Sequence, residues 1–388
     1  MTRRFVVRSA VAYLFLFWLP TPIDSLPWVG DAVTNATTKV WRPMVELGGS
    51  LLSIEVPPAR PTGSGDTLPD YLRLAVATAL ALLLGFVWAF DTRRTNQEAV
   101  LDFSRDYLRL SLAATMLSYG MAKVLMQQFE PLDQYTLFEA YGESSPMGLL
   151  WRFMGFSSVY TRFAGLTEVL AAVLLLWRRT TTAGALVCAI VMTNVVLLNF
   201  CFDVPVKLLS THLLVFALVL LVPDVRRLLA VLFTNQQTLP RDFSSRYAAG
   251  HGRLVMPVLT VLFAVAILGS TLSMPEYDPL PEDVEIDGSY TVVRQSGGIS
   301  WHFVQFGSGA AYFRRGAENL TYAKLHRDGQ TLTIGDQTLS WARRDGALVL
   351  TGTWEKEPIE VTLQKLEVAQ QPLLTRGFHW VQPTPFNR

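Results

Sequence analysis

Seven stretches of this chain are so poor in charge that each needs an apolar surrounding along its length. They run approximately over residues 5–20, 68–90, 107–126, 159–177, 181–200, 206–222 and 254–273. About 20 apolar residues in a helix cross the hydrocarbon of a bilayer. Inside lipid every backbone N–H and C=O must be satisfied within the segment, so such runs read as helices. The first and sixth runs are short for a span. The first begins RRFVVR and lacks a small-residue cleavage site, which predicts a retained anchor and not a removed leader. Composition agrees: half of the residues are hydrophobic and only 17% are charged, against about 25% in soluble domains. A net charge of +1 gives no footprint for nucleic acid, which calls for a strongly basic face.

Arginine and lysine in the connections set an orientation. With the N-terminus inside, the cytoplasmic pieces hold Arg3, Arg4, Arg8, Arg93, Arg94, Arg105, Arg178, Arg179, Arg226, Arg227, Arg241, Arg246 and Arg253; the opposite pieces hold Lys39, Arg42, Arg60, Arg152 and Lys207. The expectation is a multi-pass protein of the bacterial cytoplasmic membrane with its C-terminal part extracytoplasmic. Two external connections are long. Residues 21–67 contain WRPMVELGGSLLSIEV, which reads as an amphipathic surface helix, followed by PPARPTGSGD, which reads as a flexible linker. The aromatic-rich connection 127–158 predicts short helices packed at headgroup level.

Beyond residue 276 the pattern changes to short β-type runs, among them DGSYTVV, ISWHFVQF, AAYFRR, QTLTI, QTLSWARR, ALVLTGTW and PIEVTLQKL. Alternation within them, with RDGQ and RRDGA as turns, predicts an antiparallel meander or small barrel. Trp301, Trp341, Trp354 and Trp380 read as its core, and His302, His326 and His379 lack metal-ligand spacing. The tail LLTRGFHWVQPTPFNR is aromatic enough to dock on the β domain or the helices. The expected class is a mainly α polytopic helix bundle with an extracytoplasmic antiparallel β domain. Its divisions are 1–106 with two spans and a Pro-rich loop, 107–232, 233–275 with a linker and the seventh span, and 276–388. The cysteines, Cys188 and Cys201, lie 13 residues apart in or beside one run. That is roughly 20 Å along a helix, too far to bridge.

Polar residues inside the runs carry the functional leads. Glu168 has no charged neighbour in sequence between Arg162 and Arg178, and an intramembrane carboxylate costs roughly 2.5–3.5 kcal/mol on insertion scales. It must pair, carry a proton or face a polar interior. Arg162, about 240° around the helix from it, reads as an interfacial anchor. Lys123 shares a helical face with Tyr119, four residues away. It either snorkels to the interface or turns inward to an acid. Asp203 before Pro205 reads as a helix start, and Asp203 and Lys207 are also four apart. His212 stands inside a run as a proton-handling group without a second ligand for haem. Asn194 reads as an interhelical hydrogen-bonding group. Together these describe a polar pocket in the outer half of the bundle, open to lipid, with Glu168, Lys123 and His212 handling a proton and Tyr119, Arg162, Asn194, Asp203 and Lys207 lining it. No metal site is indicated.

The block RLSLAATMLSYGMAKVL, then SSPMGLLWRFMGFSSVYTRFAGLTEVLAAVLLLWRRTTTAGALV and NFCFDVPVKLLSTHLLVFALVLLVPD, resembles the DoxX-like membrane proteins, and in particular a bacterial subgroup whose chains also end in RGFHW…PFNR. The resemblance implies a four-helix core over 107–232, with its second helix opening on G-x-x-E at Gly165 to Glu168. Some relatives are linked to quinone-dependent sulfur oxidation, and a distant branch includes vitamin K-dependent carboxylase. Two readings follow. One is a subunit or accessory of a quinone-linked redox process, with quinone as the expected ligand. The other is a non-enzymatic scaffold or lipid-handling protein whose β domain recruits an extracytoplasmic partner, with membrane lipids around the helices. The sequence leaves open whether the protein is an enzyme.

Overall fold

The computed structural model describes residues 2–21, 29–58, 63–90, 97–129, 141–239, 286–307, 309–315, 321–367 and 372–376, with isolated positions between these stretches. The chain divides into two units, Met1–Glu130 with Phe153–Glu276, and Pro131–Arg152 with Tyr277–Arg388.

The first unit is helical. Its elements are α1 (Thr2–Trp18), α2 (Gly30–Leu51), α3 (Leu68–Ala89) and α4 (Gln97–Val124), then α5 (Pro146–Phe156), which begins in the other unit, α6 (Ser158–Leu175), α7 (Thr181–Cys201), α8 (Lys207–Leu221) and α9 (Val225–Thr234). Their starts follow from local chemistry. Thr67 and Asp70 form a reciprocal capping box at α3, with a proline in the first turn, and the Ser157 hydroxyl accepts from Tyr160 N at α6. Four helices among the described residues are long and apolar enough to cross a membrane: Leu68–Ala89, Ser158–Leu175, Arg178–Cys201 and Lys207–Thr234. The first apolar run is a 17-residue helix, α1. The third is the apolar half of α4, whose opening turns carry Asp102, Arg105, Asp106 and Arg109. The seventh run, 254–273, lies almost wholly outside the described residues.

Helices α4, α6, α7 and α8 pack in sequence order, and α8 touches α4 again; α1 lies against α3 and touches α4, and α2 lies against α3. Their shared core includes Leu112, Met116, Ala171, Leu175, Ala185, Cys188, Ala217 and Leu220. Glycines set the closest approaches. A Cβ on Gly120 would stand 2.9 Å from the Gly165 carbonyl, so α4 and α6 meet backbone to backbone there. Cys188 is buried, Cys201 is exposed, and both are free thiols. The amphipathic segment expected in 21–67 is α2, which buries Trp41 and Val45. The 127–158 connection supplies α5 and a short 3-10 turn at Tyr141–Glu143.

The second unit contains a closed eight-stranded antiparallel barrel, ordered β1 to β8 with β8 returning to β1. The strands are β1 (Gly288–Ser296), β2 (Trp301–Gly307), β3 (Ala310–Arg315), β4 (Thr321–Asp328), β5 (Thr331–Ile334), β6 (Gln337–Arg344), β7 (Ala347–Trp354) and β8 (Glu357–Lys365). Seven were readable as β runs. The eighth, β4, has the sequence TYAKLHRD, with only Ala323 and Leu325 as apolar members of its inward row, too sparse a period to stand out. RRDGA makes the β6–β7 turn, with Asp345 and Gly346 both at positive φ (51° and 81°), the geometry of a type I′ hairpin. Side chains fill the interior. Trp301, Tyr290, Phe306 and Phe313 are each 1% exposed, and Trp301 packs edge-on to Trp354 with ring centroids 4.8 Å apart. Trp341 is half-buried and donates from Nε1 to the Gly329 carbonyl at 3.2 Å. Trp380, His379 and most of the C-terminal tail lie outside the described residues.

Candidate functional site

The close crossing at Gly120 and Gly165 is what places Glu168. Lys123 follows Gly120 by three residues on α4, and Glu168 follows Gly165 by three on α6. Lys123 Nζ donates to Glu168 Oε2 at 2.9 Å, with Glu168 3% and Lys123 8% exposed. Lys123 Nζ also lies 5.7 Å from the Tyr119 ring centre, within cation–π range. Of the alternatives open for Glu168, pairing with a cation from another helix is the one observed. Arg162 Nε reaches the Val124 carbonyl at 3.4 Å, a long contact near the same crossing. Asn194 is exposed on α7.

The mouth of α8 differs from the expected arrangement. Asp203 is 82% exposed and bonds Lys207 Nζ at 2.8 Å, but it does not cap the helix. The cap is Asp66, whose two carboxylate oxygens accept from Lys207 N at 2.7 Å and Leu208 N at 2.9 Å. Gly65 N donates to the Pro205 carbonyl at 2.8 Å. The stretch read as a flexible linker therefore docks its last residues on the start of α8.

The side-chain partner of His212 is not Glu168 but Tyr13 on α1. Tyr13 Oη and His212 Nε2 are 2.6 Å apart, and His212 Nδ1 lies 2.7 Å from the Leu208 carbonyl. A carbonyl can only accept, so Nδ1 carries the hydrogen. In the neutral ring Nε2 is then an acceptor, and the Tyr13 hydroxyl donates to it. Phe17 stacks on the imidazole at 3.9 Å between centroids, and Phe216 meets it edge-on. This pair lies in the wall of a cavity of about 1110 Å³ between α1, α3, α4 and α8. Its lining is chiefly aliphatic, from Val7 and Leu14 to Val215 and Leu220, with Glu98, Asp102 and Arg105 also at its wall. A second cavity of about 680 Å³ is bounded by α1, α2, α3, α4 and α8, and His212 lines both. Tyr119 lines the second; Glu168, Lys123, Arg162, Asn194, Asp203 and Lys207 line neither.

The largest charged cluster among the described residues went unread in the sequence. Arg178 bonds Asp106 and, at 2.9 Å, Asp102. Arg109 bonds Asp106 at 3.2 Å and donates to the Leu175 carbonyl at 2.6 Å. Asp224, 1% exposed, accepts from Arg105, Arg227 and the Thr182 hydroxyl. The sequence signal was the i,i+3 spacing of Asp102 with Arg105 and of Asp106 with Arg109 ahead of an apolar run. Tyr13 had a weaker one, as a hydroxyl inside the first run.

No family model matches the sequence, and no solved structure matches it. Over 123 residues the chain is 42% identical to "Uncharacterized protein YwoB" of Bacillus subtilis (strain 168), a match that covers 32% of this chain and 78% of that protein. At that identity and coverage, the chain belongs to the family of YwoB.

Proposed function

We propose that the helical unit binds a long-chain amphiphile with an uncharged carbonyl or hydroxyl head, of which an isoprenoid quinone is the leading chemistry, as a subunit or accessory of a quinone-linked redox process. One observation carries this reading: an aliphatic cavity of about 1110 Å³ with a phenol–imidazole pair in its wall. Lipid-like ligands need such an apolar volume with a few convergent polar groups. The Leu208 carbonyl holds His212 in the tautomer that leaves Nε2 as an acceptor. A ligand hydroxyl reaching Tyr13 would give its proton to the phenol oxygen as the phenol proton passes to Nε2, and the reverse transfer protonates a ligand oxygen. When the ligand hydroxyl is oxidised its electrons would pass to a redox partner, and when a ligand oxygen is protonated on reduction they would come from that partner. Glu168 and Lys123 are assigned to holding α4 against α6, not to the ligand. The DoxX-like resemblance supports the quinone reading. In this reading α1 and α4 also cross the bacterial cytoplasmic membrane, the N-terminus is inside, and the barrel stands on the extracytoplasmic side, where it can recruit a partner.

A second reading, lipid handling without redox chemistry, is favoured by the same aliphatic wall, since nothing in it other than Tyr13 and His212 selects a quinone. Organic extraction of the full-length protein purified in mild detergent separates the two. A quinone enriched over the membrane extract, and lost in Tyr13→Phe and His212→Gln proteins that still melt cooperatively, is the expected result. Enrichment of another lipid selects the second reading, and bulk lipid proportions with no response to either substitution reject both.

A further inference from the structure

Arg73 lies on α3, five residues in from Leu68, which is roughly 8 Å along the helix. Its guanidinium sits over the Trp41 ring at 4.9 Å and lines the second cavity. Among the described residues it makes no hydrogen bond or ion pair. The nearest acid in sequence, Asp70, acts on Arg73 through its charge without forming an ion pair, and its Oδ2 accepts from Thr67 N at 2.9 Å and from the Thr67 hydroxyl at 2.5 Å. The other cation of the cavity, Arg42, is held by Glu46 at 2.8 Å on the exposed side of α2. Among the described residues, Arg73 is thus the one arginine of the cavity without a carboxylate at salt-bridge distance. The Trp41 ring holds the guanidinium by a cation–π contact, which leaves its N–H donors able to bond a ligand.

Several hydroxyl groups line the same cavity as Arg73. Thr37 and Thr38 donate to carbonyls of their own helix, and Thr115 does likewise. The Thr34 and Ser118 side chains, which line the same cavity, donate to no group among the described residues. A charged fork, two uncommitted hydroxyl donors and a volume of about 680 Å³ match the demands of a tetrahedral oxyanion, which takes a bidentate guanidinium and further O–H donors. We infer that the second cavity binds a phosphate group through Arg73, Thr34 and Ser118, with Trp41 as the platform that orients the guanidinium. The inference does not depend on what fills the first cavity.

A phospholipid head and free phosphate share this chemistry, and the test separates them. Full-length protein in a neutral detergent is titrated calorimetrically with dihexanoyl phosphatidic acid and, separately, with inorganic phosphate. Binding of the first alone identifies a lipid head, and binding of inorganic phosphate identifies the phosphate itself. In either case Arg73→Gln is expected to weaken binding at least about tenfold, while Arg42→Gln leaves it unchanged. Should Arg73→Gln fail to fold, Trp41→Phe and Ser118→Ala are titrated instead, each with an expected loss of several-fold. Failure of both probes to bind the unaltered protein, or equal affinity in the Arg73→Gln protein, overturns the inference.

Discussion

Glu168 is expensive in an apolar helix only while it stands alone. The 2.9 Å bond to Lys123 makes it half of a buried pair, and such a pair repays its desolvation only while both partners remain. Glu168→Gln therefore leaves an uncompensated ammonium at a close glycine crossing of the bundle, and should lower stability by about 3 kcal/mol. The double replacement Glu168→Leu with Lys123→Met removes both charges and should recover most of that loss. Thermal unfolding of the three purified proteins, followed by circular dichroism, provides the comparison. A double variant no better than the single one would mean that the charges act on something other than each other. Sequence reasoning found Glu168 because its cost is local, readable in the residues on either side. Its partner was one of two fates left open for Lys123, because the choice is made by glycines 45 residues apart, Gly120 and Gly165, that bring two helices together.

At the scale of elements, apolar length and alternation were legible, and the groups that end or start elements from a distance were not. The β runs were visible wherever inward residues are large and apolar, and β4 was lost where they are not. The start of α8 was legible as a start, from Asp203 and Pro205, yet its cap comes from Asp66, more than a hundred residues earlier. A carboxylate at that position satisfies two orphan amide N–H groups and meets the positive end of the helix. Asp66→Ala should accordingly destabilise the helical unit by about 1–2 kcal/mol. Asp203→Ala removes an ion pair whose acid is 82% exposed and should have a negligible effect. A thermal melt that ranks Asp203→Ala as the more damaging change would return the cap to Asp203.

Among the described residues two hydrophobic cores have no residue in common, one among the helices and one inside the barrel. Each core is closed within its own unit, so each should melt as its own cooperative transition, and substitutions can address them separately. In the helical unit, Asp106 joins Arg178 and Arg109, tying α4 to the corner between α6 and α7. Asp106→Asn leaves two guanidinium groups short of a charge and should cost about 3 kcal/mol there. In the barrel, the two-residue β7–β8 loop places Glu355 and Lys356 at φ 50° and 75°, a left-handed conformation that favours Asn-Gly. Lys356→Gly should relieve roughly 1 kcal/mol of backbone strain. Scanning calorimetry of the full chain is expected to show two transitions, with Asp106→Asn lowering only one and Lys356→Gly raising only the other. If either substitution moved both transitions together, the units would be thermodynamically coupled, and a ligand in the helical cavities would then be able to alter the stability of the barrel.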